Sequence, residues 1–240
     1  MQQRWKTVWS GKSADMDILH SSNLKEIYME LKRSSGFDVV VNGLSYDAFL
    51  CQYRQIVDRI MQYSEISSVY EVGCGSGANL FLLEHDGLCV GGIDYSDSLL
   101  KVAKYILKSR DLVCAEALKL LDRPQYDAVI SNSVFSYFSD KEYAWNVLER
   151  MYCKAKYAIG LLDIHDREKE TDFLTARKKM IADYEVRYAG LSKLFYDKAF
   201  FEEFAKSHNM CIRFYESDMP GYWNNPYIFH CYMYKKGIVR

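Results

Sequence analysis

The sequence predicts an α/β fold: a mostly parallel sheet with helices on both faces. Three observations point to it. From Ser67 onward, short apolar runs alternate with helix-patterned stretches, and a glycine-rich turn directly follows the first of those runs. Near its end the chain carries two strand-like runs, "MCIRFYE" and "PYIFHCYMYKK", joined by a loop that lets them pair antiparallel.

The elements follow in order. Between about Leu24 and Met61 the apolar residues recur at helical spacing, so that Phe49, Tyr53, Ile56, Val57 and Ile60 share one face; residues 1–65 are expected to form an N-terminal helical cap. The core is expected over 66–240. Its strands and helices read as "SVYEV", a helix from Asn79 to Glu84, "LCVGGID", "SDSLLKVAKYILKS", "DLVCA", "YDAVISN", "DKEYAWNVLERMY" and "KYAIGLLDI". Ser139 and Glu142 have the spacing of a capping box for the helix that follows them. After Asp163 the rhythm breaks into a charged helical stretch, read as a cap insertion at about 164–195, before the helix "DKAFFEEFAKSHN".

Composition narrows the function. The 240 residues carry 31 Lys and Arg against 32 Asp and Glu, a formal net charge of -1, so no basic surplus is offered to a nucleic acid. No apolar run is long enough to span a membrane, and the start has no apolar signal core, so a soluble cytoplasmic protein is expected. The seven cysteines, Cys51, Cys74, Cys89, Cys114, Cys153, Cys211 and Cys231, are scattered without zinc spacing; they read as reduced core residues, and no metal is expected.

The chemistry concentrates in "VYEVGCGSGANL". A bare glycine turn between strand and helix lets a ligand approach backbone amides. Asp94, at the end of the second strand, can accept both hydroxyls of a ribose, although it also precedes a helix that Ser96 can cap. Glu71 would repel a pyrophosphate but suits a ligand that brings an amino group and a sulfonium. The spacing is GxGxG, not the GxGxxG of a dinucleotide site.

In these residues, and in "GIDYS" and "YDAVISNSVFSYF", the chain resembles the class I S-adenosylmethionine-dependent methyltransferases over roughly Ser67 to Asp163. The resemblance implies a Rossmann-like, doubly wound sheet of seven strands, mostly parallel with a terminal antiparallel strand. It implies S-adenosyl-L-methionine as cofactor and S-adenosyl-L-homocysteine as product. By the same resemblance Gly73, Gly75 and Gly77 wrap the methionine part, Asp94 binds the ribose and Tyr95 packs near the adenine. Glu116, in "CAEAL", would sit beside the adenine amino group, and Asn132 and Ser133 would face the methionine end.

Catalytic candidates lie beyond the fourth and fifth strands. His165 in "LLDIHDRE" falls just past the fifth strand, where open sheets hold their ligands; it can take a proton from a hydroxyl or amine, with Asp163 and Asp166 flanking to orient its ring. A surface-loop histidine is the alternative. Tyr137, with Phe135 and Tyr95, offers a ring face to a bound cation. Trp5 and Trp9, spaced i,i+4, either close over the site or pack on the sheet; His208 reads as a helix C-terminal contact and "NNPY" as a turn into the last strand.

The expected function is methyl transfer to a hydroxyl, or an amine, of a small-molecule acceptor held in an enclosed, partly aromatic pocket. A nicotinamide-dependent oxidoreductase and a catalytically silent binding module are the rival readings.

Overall fold

Apolar residues alternate along the strands, so each strand feeds two cores. In a computed structural model, which describes residues 2–36 and 43–236, seven strands form a single sheet. They are β1 (Ser68–Val72), β2 (Cys89–Asp94), β3 (Leu112–Cys114), β4 (Tyr126–Asn132), β5 (Ala155–His165), β6 (Met210–Glu216) and β7 (Ile228–Lys235). Their spatial order is β3-β2-β1-β4-β5-β7-β6. Every pair from β3 to β5 is parallel, while β7 runs antiparallel to both β5 and β6. The terminal antiparallel strand therefore lies inside the sheet, between β5 and β6.

Ten helices are described: α1 (Gln2–Ser10), α2 (Met16–Leu19), α3 (Leu24–Ser34), α4 (Tyr46–Ile60), α5 (Ala78–His85), α6 (Asp97–Ile106), α7 (Lys141–Lys154), α8 (Glu170–Met180), α9 (Tyr184–Arg187) and α10 (Lys198–Ser207). On one face Val69, Ala128, Ile130 and Ala158 pack with residues of α3 to α6; on the other Tyr70, Val72, Val129 and Ile159 pack with α7 and α10. Ala144, Val147, Leu148 and Met151 make the buried stripe of α7 at three- and four-residue spacing. Truncating one such buried leucine costs about 2–5 kcal/mol, so α7 is held by its packing. In α4, Phe49, Tyr53, Ile56 and Ile60 are buried as their spacing predicts, while Val57 is only half-buried.

Several local expectations change. Asp140, not Ser139, caps α7, its carboxylate accepting the Tyr143 amide at 2.7 Å. The helix starts one residue later than the Ser-x-x-Glu pattern requires. The cysteines are all free, but Cys89, Cys114 and Cys153 are exposed, and only Cys74 and Cys231 are buried. Among the described residues no helix is long and apolar enough to cross a membrane.

β1 and β4 are neighbours, and the chain leaves β1 toward β2 on one side and β4 toward β5 on the other. That reversal opens a crevice at the carboxyl ends of the strands. Into it run the glycine turn after β1, Asp94 from β2, Glu116 after β3, Asn132 and Ser133 after β4, and the end of β5.

Candidate functional site

A cavity of about 880 Å³ occupies this crevice. At one end is the glycine turn. Gly73 and Gly77 have φ of +76° and +82°, in the left-handed region that side chains disfavour. A Cβ on Gly73 would stand 2.3 Å from Val134 Cγ2, and one on Gly77 3.0 Å from Leu107 Cδ1. Glycine is thus required twice over, by backbone and by space. The Gly73 amide donates to the Ile93 carbonyl at 2.8 Å, and Ser76 Oγ donates to the Leu31 carbonyl of α3 at 2.7 Å.

Asp94 is mostly engaged by its own chain: Oδ2 accepts the Gly75 amide and Oδ1 the Ser96 amide, each at 2.8 Å. Burial pushes its carboxyl up against the pull of these amides. Ser96 does cap α6, as expected. Tyr95 lines the same end, half-buried, with Lys6 of α1 at 6.0 Å from its ring centroid. Glu116 forms an ion pair with Lys6 and accepts from Tyr143 Oη at 3.4 Å.

Glu71 is buried beneath the turn. Its Oε1 accepts from Asn79 Nδ2 at 2.6 Å, whereas Oε2 has no hydrogen-bond partner among the described residues. Lys32 of α3 donates to Asn79 Oδ1 at 3.0 Å. Burial pushes Glu71 up and Lys32 down, and the attraction between them opposes both shifts. Lys32 was not singled out from sequence. Its one signal was a lysine four residues after Tyr28, adjoining the apolar stripe of α3.

The other end of the cavity lies under the insertion and α1. Trp5 and Trp9 meet the Tyr137 ring edge-on at centroid distances of 4.7 and 5.5 Å, and Trp5 Nε1 donates to the Ser192 carbonyl at 3.1 Å. Both tryptophans line the cavity, so α1 closes over it. Burial pushes the Tyr137 hydroxyl up to about 12, opposed by the charge of Arg177. Phe135, by contrast, is fully buried among Phe138, Tyr196 and Phe201, and offers no ring face to the cavity.

Asp163 and Ser133 both adopt positive φ, +55° and +59°, where β5 breaks register and β4 ends. Holding two non-glycine residues there costs about 1–3 kcal/mol each. The strain aims them together: Ser133 Oγ donates to Asp163 Oδ2 at 2.7 Å, and Tyr222 Oη donates to the same oxygen at 3.2 Å. The Asp163 amide donates to His230 Nδ1 at 3.1 Å, giving that strand histidine a positioning contact.

His165 is the last residue of β5, not a residue of the loop beyond it. Its ring packs edge-on against Phe173 and Phe195 at 4.8 and 5.4 Å, and neither nitrogen has a hydrogen-bond partner among the described residues. Burial, then the charges of Lys193 and Arg177, hold it well below the usual histidine range, so it is neutral at neutral pH. Neither flanking carboxylate orients the ring. Asp163 is taken by Ser133 and Tyr222, and Asp166 accepts the Glu168 amide at 3.0 Å.

Tyr222, Trp223 and Asn224 also line the cavity, so "NNPY" is both the expected turn before β7 and, through Asn224, part of the wall. His208 behaves as expected: it ends α10, with Nδ1 3.0 Å from the Phe204 carbonyl.

Residues 70–155 match the family described as a methyltransferase domain. A malonyl-[acyl-carrier protein] O-methyltransferase of Priestia megaterium is 23% identical over 128 residues, 49% of this chain and 46% of that protein. Its counterpart in Bacillus anthracis is 28% identical over 115 residues, 42% of this chain and 41% of that protein. The matched stretch thus spans less than half the length of either curated relative. Among solved structures, a magnesium protoporphyrin IX methyltransferase from Synechocystis PCC 6803 with bound S-adenosylmethionine superposes with a TM-score of 0.60 at 15% identity, covering 96% of this chain and 97% of that one. A plantazolicin methyltransferase in complex with a triazolic desmethylPZN analog and S-adenosylhomocysteine gives 0.59 at 15% identity, covering 98% of this chain and 99% of that one. These likenesses are of fold.

Proposed function

We propose that this chain, whose residues 70–155 match a methyltransferase domain, is a class I S-adenosylmethionine-dependent enzyme that transfers a methyl group from S-adenosyl-L-methionine to a hydroxyl, or an amine, of a small-molecule acceptor. One observation carries the reading: a continuous cavity joins the glycine turn, Glu71 and Asp94 to Asp163, Tyr137 and His165.

The residues at the first end fit the cofactor. Gly73 and Gly75 bring a turn bare of side chains to the cavity wall, and the unpartnered Glu71 Oε2 is a buried acceptor suited to a positively charged ligand. Asp94 keeps lone pairs that would accept the ribose hydroxyls, Tyr95 would flank the adenine and Glu116 its amino group, and Asn132 and Ser133 would border the methionine end; all five line the cavity.

S-adenosylmethionine, when bound, supplies a methyl group activated by its sulfonium, so the chain must align the acceptor, exclude water and receive a proton. Trp5, Trp9 and the insertion cover the cavity and exclude water. His165, neutral and with two unpartnered nitrogens, is the general base for a hydroxyl proton. Asp163, held by Ser133 and Tyr222, positions the acceptor, and Tyr137 supplies a ring wall beside it.

The relatives are named for acceptors as different as malonyl-acyl-carrier protein, magnesium protoporphyrin IX and plantazolicin. The small-acceptor reading therefore rests on the cavity, which α1 partly covers, and not on those names. The first test is thermal stabilisation by S-adenosylhomocysteine beside NADH, followed by S-adenosylhomocysteine release from a panel of hydroxyl and amine metabolites. Stabilisation by the first alone and turnover with a panel member are expected; stabilisation by NADH alone would overturn the proposal.

A further inference from the structure

Three cations line the acceptor end of the cavity, Arg177, Arg187 and Lys193; Arg187 is exposed, whereas the other two are drawn inward. Arg177 of α8 and Lys193, between α9 and α10, both line it and are half-buried. Two of their outward-facing neighbours are paired, Arg167 with Glu170 at 2.7 Å and Lys178 with Glu185 at 2.6 Å, while the exposed Lys179 and Arg187 stay in solvent. Among the described residues Arg177 and Lys193 have no carboxylate at ion-pair distance. Arg177 instead meets the rings of Tyr188 and Trp223, at 4.9 and 5.4 Å, and its Nε is buried with no hydrogen-bond partner. Lys193 lies 4.9 Å from the Tyr137 ring centroid.

Placing the two inner cations close together at a partly buried wall is electrostatically costly. Burial, then the charge of Arg177, pulls Lys193 down to about 7, and both cations depress His165. Asp163 opposes the shift of Lys193 but spends one oxygen on Ser133 and Tyr222. Ring faces soften a cation's desolvation without neutralising it. A bound anion would offset both charges at once, and a guanidinium presents a donor fork that matches a carboxylate or phosphate. The same two charges would repel an acceptor that arrives as an ammonium ion.

We propose that Arg177 and Lys193 form an anion-binding subsite, and that the methyl acceptor is a small molecule with an apolar or aromatic body bearing a carboxylate or phosphate group. This rests on the reading of the cavity as a methyltransferase site, and it deepens that reading. The anion also makes the neighbouring His165 a better base, because a proton arriving there no longer faces two uncompensated cations.

The test is calorimetric titration of the full chain, loaded with S-adenosylhomocysteine, with benzoate, phenyl phosphate and neutral benzyl alcohol. At least one anionic probe is expected to bind tenfold or more tightly than benzyl alcohol; which of the two binds better tells carboxylate from phosphate. R177Q and K193Q should each lose tenfold or more for that probe while keeping S-adenosylhomocysteine affinity within about twofold. Without ligand, both variants should melt no lower than the wild type, since each removes an uncompensated cation. Equal binding of benzyl alcohol, no binding of either anion, or unchanged anion affinity in both variants would overturn the subsite. If S-adenosylhomocysteine itself does not bind the wild type, the methyltransferase reading falls, and the same titrations of the unloaded chain decide the subsite separately.

Discussion

Replacing Gly73 by alanine attacks the glycine turn at its tightest point. The residue has φ +76°, and a Cβ there would stand 2.3 Å from Val134 Cγ2. The left-handed backbone alone costs a non-glycine residue about 1–2 kcal/mol, and forcing a methyl into occupied space adds about 1–3 kcal/mol. The loop cannot easily swing away, because the Gly73 amide is bonded to the Ile93 carbonyl of β2 at 2.8 Å. The expected loss is therefore about 2–5 kcal/mol. Urea unfolding of G73A, V134A and the double variant separates the two causes. Truncating Val134 relieves the clash but not the backbone, so the double variant should recover about 1–3 kcal/mol relative to the sum of the singles. A loss under about 0.5 kcal/mol in G73A, or additivity within about that amount, would refute the reasoning.

Three further outcomes are expected. Asp94→Ala removes the acceptor for two backbone amides and for the ribose, and each bond to a charged group is worth about 1.5–3 kcal/mol; S-adenosylhomocysteine affinity should fall by tenfold or more in calorimetry, and an unchanged value rejects the assignment. His165→Ala should spare that affinity and slow single-turnover methyl transfer about 10²–10⁴-fold; unaltered rates with the true acceptor remove His165 from the mechanism. Burial pushes Asp127 up, but the Ser67 amide and hydroxyl, the Ser68 amide and Lys156 outweigh it and bring the carboxyl from 3.8 to about 2. Because the folded value is depressed, the stabilisation of about 2 kcal/mol is present above pH about 4 and is lost as pH falls toward 2; urea midpoints measured from pH 6 to 2 should show it, and D127N should flatten that part of the profile.

The sheet was legible because its signals are local. Strand alternation, the left-handed glycine turn and the carboxylate ending β2 each lie within a few neighbouring residues, and steric rules act at that range. The closure of the cavity by Trp5 and Trp9 was legible as one of two alternatives, since i,i+4 spacing sets a shared face but not what the face meets. The N-cap of α7 slipped by one residue because Ser139 and Asp140 are both good caps, and packing chose between them.

By itself, then, the sequence determined a parallel α/β core, its order of elements and the glycine turn that ends the first strand. Tertiary structure decided the rest. It inserted β7 between β5 and β6, brought Lys32 from α3 to Glu71, and gave Asp163 to Ser133 and Tyr222 instead of His165. It also set Arg177 and Lys193 at one cavity against aromatic rings, with no carboxylate at ion-pair distance among the described residues. The physical reason is separation along the chain: a turn's conformation depends on its own residues, whereas burial, charge pairing and the basicity of a side chain depend on which distant segments fold against it.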